Sequence, residues 1–224
     1  MGKINRLKSK LKLFYTLFIL PHKEWQLPKK SEVLIYDTCS VEPLAPYLTK
    51  YNVTTMATRG EFINVPCLLR AAVTLNFWKG KLLQAYTEKF IQAVSPKLVI
   101  TFIDNNFWFY CISKRFPDVK TIFVQNGSRM EKGDVFGSLV KSENYHVDYM
   151  LVFGAAIGKK YKSIITGSML AIGSLKNNTV KKTNVVPNGS ILFISQYRDA
   201  PENNGPLWTG RNGEPVYHDQ FYSA

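Results

Sequence analysis

Residues 96–129 read PKLVITFIDNNFWFYCISKRFPDVKTIFVQNGSR, and the fold turns on them. Residues 97–103 are a short apolar run rich in β-branched side chains, the pattern of a buried strand. Asp104, Asn105 and Asn106 follow at once. Residues 107–116 have the length and apolar content of a helix, which Pro117 and Asp118 stop. Residues 120–124 make a second buried strand, closed by Gln125, Asn126 and Gly127. Strand, helix and strand with short joints form a βαβ unit, so the two strands run parallel. Both end in polar residues at one edge of the sheet, the carboxyl edge, where open α/β sheets bind ligands.

Outward from this unit the same alternation continues. Residues 33–36 read as a strand, turned by Asp37, Thr38, Cys39 and Ser40, with an irregular helix over 41–51 that contains Pro43 and Pro46. Residues 53–57 are the next strand, closed by Thr58, Arg59, Gly60 and Glu61. Helices are expected over 64–77 and 82–94, and a loop or short helix over 129–144. A strand over 149–153, a helix over 155–161 and an apolar segment over 164–172 complete the series. The expected class is α/β: a Rossmann-like three-layer sandwich around a mainly parallel sheet. Its domain is placed at 31–175, after a basic segment at 1–30. A polar linker follows at 176–190. Residues 191–194 then read as one strand of a second lobe that stops early, within 191–224.

Composition narrows the class. The chain has 224 residues, 46% of them hydrophobic and 13% aromatic, which suffices for a sizeable core and excludes a disordered chain. The formal net charge of +13 implies an anionic partner. Residues 1–30 carry eight lysines and arginines against Glu24 alone. Ile4, Leu7, Leu11, Phe14 and Phe18 recur three and four apart, making one apolar helical stripe. The apolar run at 13–20 is far short of the roughly 20 residues that span a bilayer. Residues 1–20 are therefore expected to lie in the plane of an anionic membrane surface. A helix packed on the body with a solvated basic face is the plainer alternative. Because the charge concentrates at this end, nucleic acid is not the expected partner. Cys39, Cys67 and Cys111 form no CxxC pair, as suits reduced thiols in the cytoplasm. The expected place is peripheral, on the inner face of the cytoplasmic membrane.

The predicted carboxyl edge collects Asp37, Arg59, Gly60, Glu61, Asp104, Asn105, Asn106, Gln125, Asn126, Gly127 and Arg129. Carboxylates at neighbouring strand ends beside an arginine suit general-base or nucleophilic work and charge stabilisation on an anionic substrate. Each residue also has a plain structural role open to it. Asp37 and Asp104 can cap helices, the two arginines can be surface residues, and Asn126-Gly127 can be a β-turn. The aromatic cluster at 107–110 reads first as core, with Trp108 or Tyr110 as a possible wall of a sugar cleft. The chain has neither a GxGxxG nor a P-loop motif. His22, His146 and His218 lack metal-ligand spacing. No cofactor and no metal are expected.

The strings VITFIDNNFWFY, IFVQNGSR, IGSLKNN and ILFISQYR, with Phe153-Gly154 and the RGE at 59–61, resemble bacterial surface-carbohydrate biosynthesis proteins. Those resemble two-lobed glycosyltransferases of the GT-B class, Kdo-transferase-like members included. The resemblance spans roughly residues 31–198. It implies transfer of a sugar from a nucleotide-sugar donor to a glycan or lipid-linked acceptor. The N-terminal lobe would hold the acceptor and supply the reactive carboxylate, and the C-terminal lobe would hold the donor. It points to Asp104 as nucleophile or base and Glu61 as a second acid/base. Substrate contacts would come from Arg59, Gly60, Asn105, Asn106, Gln125, Asn126, Gly127 and Arg129. A chain that ends where a donor lobe begins is expected to be inactive alone. Two other readings stay open: transfer of a polyol phosphate, as in glycerophosphotransferase-like proteins, and a non-catalytic module of a polysaccharide-assembly complex.

Overall fold

Strand β2 (Val33–Tyr36) is buried along its whole length, because it has a strand on each side and side chains packed on both faces of its sheet. The described residues of the computed structural model are 22–39, 41–59, 61–129, 135–138 and 142–178, with the short segments 208–209 and 215–216. The chain divides into two compact units, Met1–Lys181 and Lys182–Ala224.

In the first unit β2 pairs with β3 (Val53–Met56) on one side and β5 (Leu98–Thr101) on the other. Then come β6 (Lys120–Val124), β7 (His146–Val152) and β8 (Thr166–Ala171), giving the order β3-β2-β5-β6-β7-β8. Every pairing in this sheet is parallel. The expected α/β class with a mainly parallel sheet is thus what the chain forms. Between β2 and β5 the direction of strand addition reverses, so the switch point of the sheet lies between their carboxyl ends.

Side chains alternate along each strand, and the two faces build two cores. Leu34, Tyr36, Val99, Phe123 and Met150 point to one side. There they meet Cys67, Leu68 and Ala71 of α2 (Val65–Ala72) and Tyr86, Phe90, Ile91 and Val94 of α4 (Leu82–Val94). Val33, Ile35, Ile100 and Val124 point to the other side, against Leu44 and Leu48 around α1 (Ala45–Leu48) and Leu175 of α8 (Leu175–Asn178). One helical layer is thick and the other thin; Val135 of α6 (Val135–Ser138) also packs in the first. Each fully buried large apolar side chain contributes roughly 1.5–3 kcal/mol.

Several elements differ from the sequence reading. The helix expected over 107–116 is a 3-10 turn at Phe109–Cys111 followed by one α-turn, α5 (Ile112–Arg115). The Asn106 side chain accepts the Trp108 N–H at 3.1 Å, a local turn that competes with helix initiation. The helix expected over 64–77 breaks into α2 and α3 (Leu75–Trp78). Asn64 caps its start by accepting the Cys67 N–H, and Thr74 Oγ1 bonds back to the Ala71 carbonyl at the break. A pairing without sequence signal joins β1 (His22–Glu24) to β4 (Phe62–Asn64), parallel, so ordered structure begins ahead of residue 31.

β7 begins three residues before the expected 149, and the apolar segment at 164–172 is its edge partner β8. Their register slips between His146 and Tyr149, where Val147 and Asp148 face Gly167 alone. Gly167 has φ +134 there, and a Cβ would run into the Val147 carbonyl, so the bulge requires glycine.

In the second unit the described residues form one short antiparallel pair, β9 (Trp208–Thr209) with β10 (Pro215–Val216). The amphipathic helix at 1–20, the strand at 191–194 and most of the expected linker lie outside the described residues. Among the described residues no helix is long and apolar enough to cross a membrane.

Candidate functional site

The carboxyl ends of β2 and β5 flank the switch point, and each delivers an aspartate. The two are held differently. β2 ends in Asp37, whose φ of +74 is left-handed, a conformation that short polar residues tolerate better than others. One carboxylate oxygen, Oδ1, accepts the Cys39 N–H at 2.9 Å. The other accepts the Thr58 hydroxyl at 2.6 Å and Arg59 Nε at 3.1 Å. Thr58 and Arg59 follow β3, so the neighbouring strand end supplies the partners of Asp37. The hydrogen bond to Asp37 raises the already high pKa of the Arg59 guanidinium, fixing it as a cation. Arg59 remains 51% exposed, so its charge also faces solvent.

Beside this pair lies a cleft of ≈ 340 Å³. Asp37, Thr58 and Arg59 line one side, and Ile103, Asn105, Asn106, Phe107 and Trp108 the other. Carboxylate, guanidinium, two amides and two aromatic rings thus meet around one opening. Such a set can orient a polyhydroxylated ligand, with rings against its C–H faces and polar groups on its hydroxyls.

Asp104, after β5, is wholly buried. Its Oδ2 accepts Arg129 Nε at 2.8 Å and the Tyr161 hydroxyl. Its Oδ1 accepts Arg129 Nη2 and the Asn126 N–H, the latter at 3.2 Å. Two donors on each oxygen occupy the roughly four acceptor positions that a carboxylate offers. The Tyr110 hydroxyl donates to the Asp104 carbonyl as well. Burial above all, then the adjacent Asp104 charge, pushes the Tyr161 phenol far above the ordinary tyrosine range, which keeps it a neutral donor. Tyr161 comes from α7 (Ala155–Lys162) and packs its ring at a tilt against Phe123 and edge-on against Phe136, ring centroids 5.0 Å apart in each pair. The loop after β6, the helix after β7 and the strand end of β5 are thereby tied to one carboxylate.

Gln125 continues this bracket. Its Nε2 donates to the Gly127 carbonyl at 2.9 Å and its Oε1 accepts the Phe153 N–H at 2.9 Å. The expected site residues therefore separate into two groups. Arg59, Asn105 and Asn106 line the cleft together with Asp37. Asp104, Gln125, Asn126 and Arg129 form the buried bracket, with the Gly127 carbonyl accepting from Gln125. Glu61 is exposed, and its Oε2 accepts the Arg59 N–H at 3.3 Å. Gly60 lies outside the described residues. Two members escaped sequence reasoning. Thr58 gave no signal beyond its place in a turn. Tyr161, 57 positions from Asp104, read as the end of an ordinary helix.

Residues 122–224 match the model of a family described as "putative O-antigen biosynthesis protein". The matched span begins in β6 and includes Gln125, Asn126, Arg129 and Tyr161, while Asp37, Arg59 and Asp104 precede it. No curated protein and no solved structure matches the chain. The match supports a role in surface-polysaccharide biosynthesis, the O-antigen being such a polysaccharide.

Proposed function

We propose that the chain takes part in sugar transfer during surface-polysaccharide assembly, from a nucleotide-sugar donor to a glycan or lipid-linked acceptor. The carrying observation is the Asp37–Arg59 pair at the switch-point cleft, with Phe107 and Trp108 as its aromatic wall. A doubly wound parallel sheet with such a cleft suits one lobe of a two-lobed GT-B enzyme, as Kdo-transferase-like proteins are. In this reading Asp37 is the base. Oδ1 carries one hydrogen bond and keeps acceptor capacity, so it can take the acceptor's hydroxyl proton. The freed oxygen attacks the anomeric carbon, and the nucleotide departs with the electrons of the broken bond. Arg59 offers its positive charge to donor phosphate or to the charge that develops on it. Asn105 and Asn106 orient the sugar.

Asp104 has no open lone pair, so we assign it the positioning of Asn126 and Arg129 instead of the attack. Glu61, on the same turn as Arg59, is the alternative base. Residues 1–20 belong to the proposal as an in-plane contact with an anionic cytoplasmic membrane face.

The test is nucleotide release by the chain supplied with a donor lobe, given a panel of nucleotide sugars and a lipid-linked glycan fraction. Release coupled to acceptor glycosylation is expected. Transfer of glycerol phosphate from an activated polyol in place of any sugar would overturn the reading, as would binding of glycan with no transfer at all.

A further inference from the structure

The helical corner over residues 65–87 carries a surface that sugar transfer does not use. α2 buries Cys67, Leu68 and Ala71, yet its opposite face is not polar. Leu69 is 64% exposed, Val73 85%, Leu75 75% and Trp78 76%. Leu69 and Val73 lie four apart, hence on one helical side. Trp78 folds back onto the end of α2, where its Nε1–H donates to the Ala72 carbonyl at 2.8 Å. The ring can therefore enter an apolar phase with its donor already satisfied. Arg70, Lys79 and Lys81 are exposed around these side chains. Between residues 65 and 87 there is no aspartate or glutamate.

Clustered exposed apolar side chains mark an interaction surface, and the charges select the partner. A second copy docking through the same face would set Arg70, Lys79 and Lys81 against themselves, which like-charge repulsion opposes. An anionic lipid surface answers both features. We infer that this corner docks on an anionic membrane. Leu69, Val73, Leu75 and Trp78 enter the boundary between headgroups and acyl chains, and Arg70, Lys79 and Lys81 meet lipid phosphates. The topology adds a consequence. α4 feeds β5 through residues 95–97, so it runs antiparallel to the strands and begins at their carboxyl edge. The corner before α4 thus lies at the same edge as the Asp37–Arg59 cleft. Docking turns that edge toward the bilayer, where a lipid-linked acceptor presents its glycan. The contact is separate from residues 1–20 and does not depend on sugar transfer.

The experiment is hydrogen exchange on the full chain with vesicles of phosphatidylcholine, alone or mixed with phosphatidylglycerol. Protection over residues 69–83 is expected with the anionic vesicles, and raised salt should reduce it. The double variant Leu75→Ser/Trp78→Ser should lower vesicle partitioning about tenfold. Lys79→Glu/Lys81→Glu, which leaves the Trp78–Ala72 bond in place, should do so to a similar degree at an unchanged melting temperature. Unprotected residues 69–83 in a vesicle-bound chain would overturn the inference. So would self-association in solution that Leu75→Ser/Trp78→Ser abolishes without any effect on vesicle binding, since the patch would then belong to a second copy.

Discussion

Asp37 and Asp104 stand at neighbouring strand ends on the two sides of one switch point, yet their surroundings differ in kind. Asp104 receives two donors on each oxygen, from the loop after β6 and the helix after β7. Asp37 receives its donors from its own turn and the next strand end, and it lines a cleft. An enclosed carboxylate ties loops together. Asp37 is itself 2% exposed, and its proposed role as base rests on the cleft that it lines and on its half-exposed arginine partner. Position at the carboxyl edge does not separate the two aspartates, whereas the number and origin of their donors does.

Four predictions would sharpen or break this contrast. The largest effect belongs to Asp104→Asn, which removes the charge opposite a largely buried guanidinium. It should cost about 3–5 kcal/mol of stability, read from denaturant unfolding. An unchanged midpoint with transfer abolished would reverse the two assignments and make Asp104 the reactive group. Next comes Asp37→Asn, which keeps the left-handed backbone and an acceptor for the Cys39 N–H but gives up the ion pair with the half-exposed Arg59, a pair worth little to stability. Its melting temperature should scarcely move, while transfer falls about 100-fold, about 2.7 kcal/mol of barrier. Full turnover in that variant would shift the search to Glu61, tested by Glu61→Gln.

Tyr161→Phe removes one donor from the buried carboxylate and should cost about 1.5–3 kcal/mol, with the ring contacts to Phe123 and Phe136 kept. A loss much smaller than that would mean that the bracket tolerates an open acceptor and is less closed than described. The smallest effect concerns Asp148, at the β7 bulge. Its carboxylate accepts Lys120 Nζ, the Thr121 N–H and the Thr121 hydroxyl, each at 2.9 Å. Burial works to raise its pKa, but these partners prevail and the folded-state value lies below the ordinary one. The stabilisation is therefore present above the unfolded-state pKa and is lost as pH falls through the folded-state value. Melting temperature measured against pH below about 4 should fall less steeply in Asp148→Asn than in the parent chain. Identical slopes would remove Asp148 from the acid response and leave it to other carboxylates.

The sequence alone determined the alternation of strands and helices, because continuous β-branched runs bounded by polar turns admit few other structures. That alternation yields a parallel sheet, and the polar residues after each strand mark its carboxyl edge. Residues 33–36, 82–94 and 120–124 were legible to the residue. The short helix after β5 was not, because an asparagine turn outweighed apolar content. Nor was the β1–β4 pair, since three-residue strands leave no periodicity to read. At the site, the list of edge residues was readable but its division was not. Only the tertiary structure brought Tyr161 and Arg129 onto Asp104 and set Arg59 on Asp37. The physical reason is that a carboxylate's role depends on which donors reach its lone pairs, and here those donors lie from 2 to 57 positions away along the chain.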